Sequence, residues 1–238
     1  MLSQAPDDTP EPEFTPAALA FGAAMHSAIG CFLQSTLEAS PFRPDQLVDI
    51  YQEEWKGCEG PGIRFSNRDS ESALAKKAKN LLSLFVERYD PGTEVIAVEE
   101  RFTVDLTEIV PDHQWEVPLF QGVVYAVLKE NGSTAVVDYK TSARKPDSQV
   151  NSTQLVAYSL GSIGLGYDPN ELDYRFEYLV KITNPELVSF PVTIMDNDRR
   201  RFLKRLTRVD KAIGSSIFYP IPGYLCGSCG FQNRCREW

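Results

Sequence analysis

The sequence has no apolar run approaching the roughly 20 residues that span a bilayer. It also opens without the charged-then-apolar pattern of a signal peptide. A cytoplasmic chain with no membrane partner is the expectation. Positive charge is in short supply: 24 Lys and Arg against 33 Asp and Glu give a formal net charge of −9. That excludes a protein coated in positive charge, so a nucleic-acid partner has to be met by a local basic patch. Internal repeats are missing, and so is low complexity beyond the first residues. A second C-x-x-C, which a zinc ribbon would bring, is absent as well. The five cysteines are an odd count, with three of them in the last thirteen residues. In a chain without a secretion signal that favours metal or cluster ligation over disulfides.

What is present fits one domain. The 238 residues are 42% hydrophobic and 11% aromatic, enough for a real core. Residues 1–15, "MLSQAPDDTPEPEFT", are rich in Pro and acid and read as a disordered tail or linker. "PAALAFGAAMHSAIGCFLQSTLEAS" reads as a helix with Pro16 in its first turn, and Leu19, Met25, Ile29, Phe32 and Leu33 mark its inner stripe. A shorter helix, capped by Asp45, follows over "DQLVDIYQEEW", and a third over "DSESALAKKAKNLLSLFVERY" ends at "DPG".

The period then changes. "TEVIAVEERFTVDL" and "WEVPLFQGVVYAVLKE" are β-branched and alternating, and "NG" at 131–132 signals a hairpin into "STAVVDYK". A helix over "SQVNSTQLVAYSLGSIG", strands over "YRFEYLVKIT" and "ELVSFPVTI", and a basic amphipathic helix closed by Gly214 complete the order. The predicted fold is α/β: a mixed sheet of about five strands flanked by helices, followed by a cysteine-rich tail.

"AVVDYKTS" places Asp138 and Lys140 at i and i+2, on one face of a strand end. A carboxylate suits a hard cation, and an ammonium beside it can orient water or stabilise charge on a phosphate, which fits metal-assisted phosphodiester cleavage. A strand-end ion pair accounts for the same two residues. Gln154 and Tyr158, at i and i+4, share a helix face; amide and phenol both suit nucleic acid. His26 in "GAAMH" is a candidate third metal ligand or an ordinary polar residue at a core edge.

Taken in order, "FGAAMH", "VVDYKTS", "QLVAY" and the terminal cysteines resemble the RecB-like branch of the PD-(D/E)xK nucleases, which includes the nuclease domains of recombination helicase-nucleases and Cas4. The resemblance runs from about Leu19 to the C-terminus. It implies a restriction-endonuclease-like core over 16–214 with segment 215–238 packed on it. The implied activity is DNA exonuclease, in repair, recombination or CRISPR-type processing, on single strands or duplex ends and beside a helicase or other subunit. It implies Mg²⁺ or Mn²⁺ held by His26 and Asp138, with Lys140 assisting the attacking water and Gln154 and Tyr158 beside the DNA.

One motif departs. The family carries G-x-x-D on the preceding strand, its Asp the first metal carboxylate; here "FQGVVYAV" keeps Gly122 but holds Tyr125 at the acid position. A phenol with an ordinary pKa near 10 is a poor ligand for a hard dication. The alternative is therefore a catalytically degenerate DNA-binding or assembly module of the same fold. Glu99, Glu100, Asp112 and Glu116 are the acids within range, and Glu116 should face the wrong way.

In the tail, Cys226, Cys229 and Cys235 are spaced C-x₂-C-x₅-C. The resemblance implies a [4Fe–4S] cluster whose fourth ligand lies upstream of the motif His. No cysteine precedes His26; Cys58 is the better substitute and Cys31 the better core residue, unless the ligand belonged to a missing N-terminal segment. Three free thiols, or a redox- or metal-sensing scaffold, are the other readings. Arg201, Lys204, Arg205 and Arg208 fall on one face of the last helix, either tracking a phosphate backbone or forming a solvated face.

Overall fold

Near residue 93 the hydrophobic period falls from that of a helix to that of a strand, and the chain passes there from a helical layer into a sheet. The structure, a computed structural model, describes residues 11–60, 62–67, 69–146 and 152–237. Three helices come first: α1 (Ala17–Leu37), α2 (Pro44–Gly57) and α3 (Glu71–Arg88). Five strands follow: β1 (Glu94–Asp105), β2 (Leu119–Glu130), β3 (Ser133–Ser142), β4 (Leu172–Val180) and β5 (Glu186–Pro191). Helix α4 (Thr153–Gly164) links β3 to β4, and α5 (Asp196–Gly214) follows β5.

The sheet order is β1-β2-β3-β4-β5. Its neighbours are antiparallel except β3 and β4, which run parallel around the α4 crossover. Asn131 and Gly132 both take left-handed φ, +49° and +86°, as a two-residue hairpin turn requires. One face of the sheet packs on α1, α2 and α3 through Tyr125, Leu128, Val137 and Tyr139. The other packs on α4 through Phe102, Val124, Val136 and Phe176. The Phe102 ring is pinched between two glycines: a Cβ at Gly122 or at Gly161 would stand 2.5 Å from it. Gly122 of the sequence motif thus has a packing reason to lack a side chain.

Three local expectations are corrected. Leu19 is 65% exposed, whereas Met25, Ile29, Phe32 and Leu33 are buried as the stripe predicts. Arg43 rather than Asp45 precedes the first turn of α2, and Asp45 binds the Arg43 guanidinium at 3.2 Å. The α1 segment is long and apolar enough, by length and composition, to cross a membrane, contrary to the reading that no run approaches that length. Its apolar residues pack into the core beneath α2 and α3.

The first ten residues of the predicted tail lie outside the described ones, as does the start of the predicted segment 148–164. From residue 12 onward the chain is held. Thr15 and Pro16 pair with Ile63 and Arg64, Phe14 is buried, and the Glu13 amide donates to the Gly230 carbonyl at 2.8 Å. Asn233 adds a side-chain bond to Glu13 at 2.9 Å, so the N-terminal segment docks on the cysteine-bearing tail.

Candidate active site at a strand fork

Strands β2 and β3 pair only from Glu130↔Ser133 to Ala126↔Val137. Beyond that point β2 stays with β1, as far as Asp105↔Leu119, and β3 stays with β4, as far as Ser142↔Val180. The sheet forks there, and Tyr125 and Asp138 are the first residues on its two prongs. Backbone groups freed from pairing leave room for side chains and a ligand, and α1 crosses the opening.

On the β3 prong, Asp138 is fully buried and Lys140 Nζ lies 2.9 Å from its Oδ2. From α4, Gln154 Nε2 donates to the Tyr158 hydroxyl at 2.8 Å, and that hydroxyl donates to Asp138 Oδ2 at 3.5 Å. The i, i+4 spacing sets the Gln–Tyr contact and the D-x-K alternation sets the Asp–Lys contact. Burial, and then the Asp138 charge, push the Tyr158 phenol up to about 12, so it works as a donor. Among the described residues Asp138 Oδ1 has no hydrogen-bond partner. A buried carboxylate oxygen is costly without a partner, which a water or an ion can supply.

On the α1 side, the His26 ring lies 3.7 Å from the Tyr125 ring, tilted by 41°. Burial lowers the pKa of His26; the charges of Asp138 and Glu99 oppose that and Lys140 reinforces it. His26 and Lys140 line one cleft of about 400 Å³, together with Leu19, Gly22 and Thr141. The exposed Leu19 is therefore a wall of this cleft.

Tyr125 is only 2% exposed, and its hydroxyl donates to the His26 backbone carbonyl at 2.6 Å. Burial raises its pKa well above the ordinary value, so it remains a neutral phenol fastening β2 to α1. Of the acids considered as substitutes, Glu100 pairs with Val124, which faces α4. Glu116 lies at the end of α5: a Cβ on Gly214 would come within 2.8 Å of it. Asp112 sits in the β1–β2 connection. Glu99, which the ladder brackets between Val98↔Ala126 and Glu100↔Val124, shares the face of Tyr125, and its Oε1 stands 3.9 Å from His26 Nδ1. "VEERF" offers two adjacent acids, and only the register with β2 tells which one faces α1.

Among the described residues no three of His, Cys, Asp and Glu form a group that would hold a metal ion. The donors that are present, an orphaned carboxylate oxygen and an imidazole, do fit an ion of the Mg²⁺ or Mn²⁺ kind, which takes few protein ligands and completes its sphere with water and phosphate oxygen. The cysteines do not fit a cluster as placed. Cys226, Cys229 and Cys235 make no such group, and Cys58 packs against the core with its thiol pushed up by burial and by Glu54.

Of the basic residues, Arg201 and Arg205 line a small cleft of about 130 Å³ with Ser152, Thr153 and Val156, at the end of α4 that carries Gln154. Lys204 and Arg208 are exposed elsewhere on α5. Arg199 turns inward, held by Asp196 at 2.7 Å and by Asn170.

The chain resembles the crystal structure of a provisionally assigned exonuclease from Eubacterium rectale, with 16% identity over 90% of this chain and 74% of that one and a TM-score of 0.48. It also resembles the structure of SSO0001, with 12% identity over 98% and 89% of the two chains and a TM-score of 0.43. No curated protein sequence matches it. The family model described as the PD-(D/E)XK nuclease superfamily matches residues 2–236, nearly the whole length. The chain therefore belongs to the PD-(D/E)XK nuclease superfamily.

Proposed function

We propose that the chain is a RecB- and Cas4-like DNA-processing nuclease module whose forked cleft takes single-stranded or end-exposed DNA, with Tyr125 slowing the chemistry. The observation that carries this reading is the convergence of Asp138, Lys140, Gln154 and Tyr158 on one prong of the fork, with His26 sharing the cleft. Lys140 orients the attacking water or the phosphate through its ammonium, which Asp138 holds in place. Gln154 and Tyr158 form a donor pair for a phosphate oxygen or a stacking base. Arg201 and Arg205, beside the start of α4, extend the path of the DNA backbone. A divalent cation, held by Asp138 Oδ1 and His26, would supply charge neutralisation and a water of lowered pKa. The acidic remainder of the surface confines DNA to the cleft.

A second reading, a DNA-binding or assembly module that does not cut, is favoured by one observation: the phenol of Tyr125 stands, buried and hydrogen-bonded, where relatives of the RecB branch hold a carboxylate. The test is cleavage of labelled single- and double-stranded DNA with Mg²⁺ or Mn²⁺, comparing wild type, Asp138→Ala and Tyr125→Asp, with filter retention of DNA in parallel. Slow cutting by wild type that Asp138→Ala abolishes supports the nuclease. Retention without cutting, with cutting gained by Tyr125→Asp, supports the second reading. Neither retention nor cutting sinks both.

A further inference from the structure

Glu99 is the only non-glycine residue with left-handed backbone inside a strand among the described residues, at φ +50°. Such a residue costs energy unless its surroundings over-determine it. The pairing of β1 with β2 is irregular just before it, between Val95 and Ala97. The result carries its carboxylate to α1, where a Cβ on Gly30 would meet Glu99 Oε1 at 3.8 Å and the Tyr125 hydroxyl at 3.5 Å. Glu99 Oε1 stands 3.9 Å from His26 Nδ1, within ion-pair range, and its side chain is 56% exposed. Across the ring, His26 shares its cleft with Lys140, whose ammonium is bound to Asp138, and Oδ1 of that buried carboxylate has no partner. The imidazole therefore has the Glu99 carboxylate on its Nδ1 side and shares its cleft with the ammonium that Asp138 holds.

We propose that Glu99 is a positioning residue: its carboxylate accepts the Nδ1–H of His26 and so presents Nε2, unprotonated, to the cleft and to Asp138. A histidine that binds a metal commonly gives its other N–H to a carboxylate, which fixes both tautomer and ring orientation. In this chain the fixing group comes from the outer strand, and it steadies the imidazole at a fork where Tyr125 brings no charge. The inference rests on the reading of His26 as a group that faces the ligand.

The experiment is ¹⁵N NMR of the His26 ring, with Mn²⁺ titration and thermal melting, on wild type, Glu99→Gln and Glu99→Gly. The tautomer is read without metal or DNA, so it stands apart from the nuclease test. Wild type is expected to hold the Nδ1–H tautomer. Glu99→Gln, whose amide oxygen still accepts, keeps it and most of the Mn²⁺ affinity. Glu99→Gly loses the preference and weakens Mn²⁺ binding by about 10-fold, yet melts no lower, because glycine suits the left-handed backbone. An Nε2–H tautomer in wild type overturns the proposal, as does an unchanged tautomer in Glu99→Gly. Equal Mn²⁺ loss in Gln and Gly variants overturns it in favour of a direct ligand, and a lower melting temperature in Glu99→Gly overturns it in favour of a structural role. If the tautomers follow expectation while wild type and Tyr125→Asp leave DNA uncut, the nuclease reading falls and this assignment stands.

Discussion

Replacing Tyr125 by aspartate places a carboxylate at the position the proposed reading assigns to a metal ligand and removes a buried ring, so its cost and its gain can be read separately. The ring is 2% exposed, and losing its apolar area together with the cavity left behind costs about 3–5 kcal/mol. The hydrogen bond to the His26 carbonyl adds about 1 kcal/mol. The new carboxylate also enters the neighbourhood of Asp138, whose charge already bears on Tyr125. A loss of about 4–6 kcal/mol in metal-free buffer follows, a large share of the roughly 5–15 kcal/mol that holds a domain folded. If the fork is a metal centre missing one ligand, Mn²⁺ returns part of that loss: about 2.7 kcal/mol at a hundred times the dissociation constant. Urea denaturation with and without Mn²⁺ measures both terms, and Tyr125→Asp/Asp138→Asn removes the second carboxylate as a control. Tyr125→Phe, which loses only the hydroxyl bond, separates ring packing from that bond. A Mn²⁺-induced gain no greater than that of wild type, or one that survives in the double variant, would refute the placement of Tyr125 at a metal-carboxylate position.

Tyr158→Phe removes the hydroxyl between Gln154 and Asp138 and is expected to cut DNA turnover or retention about 10-fold, at a stability cost of about 1 kcal/mol; unchanged DNA handling would take Tyr158 out of the site. Gly161→Ala places a methyl 2.5 Å from the Phe102 ring and should cost about 1–3 kcal/mol, partly recovered by Phe102→Leu in the same chain. Asp210 accepts from the Val117 and Glu116 amides and from His113, at 2.9, 3.1 and 2.9 Å, and ties the β1–β2 connection to α5. Burial pushes its carboxyl up, but those bonds outweigh burial and hold its pKa below the ordinary 3.8. Its contribution is therefore full above pH 3.8 and lost as the pH falls through the lower folded value; Asp210→Ala should cost about 2–4 kcal/mol at neutral pH and flatten the acid limb of the stability curve.

Side-chain periodicity carried most of the fold. The switch from helical to alternating pattern near residue 93, the Asn131–Gly132 turn and the boundaries of α5 are local features, fixed by which neighbours share a face, and a single chain displays them. Asp138, Lys140, Gln154 and Tyr158 were legible for the same reason, since i, i+2 on a strand and i, i+4 on a helix need no tertiary information. Leu19 misled because a cleft wall is apolar too, and periodicity does not separate a wall from a core. Glu99 was visible only as one of several acids. Its facing depends on the register with β2, and its reach depends on a left-handed backbone that nothing in "VEERF" announces.

The chain ends make the same point about long-range contacts. The sequence placed Pro12 to Thr15 in a loose tail and gave the three late cysteines a ligand-binding role. Their composition permits both, because Pro-rich acidic stretches and Cys-Gly turns carry no internal partner. The structure gives each the other as partner. The Glu13 amide meets the Gly230 carbonyl, and a Cβ at Gly230 would collide with the Phe14 carbonyl and with Pro12. The glycine that spaces Cys229 from Cys235 is thus required by the N-terminal segment, whether or not the thiols ever meet. The cysteine tail therefore has a structural task, closing on the segment 12–14 that runs into α1. That closure braces the start of the helix whose tenth residue, His26, reaches the fork.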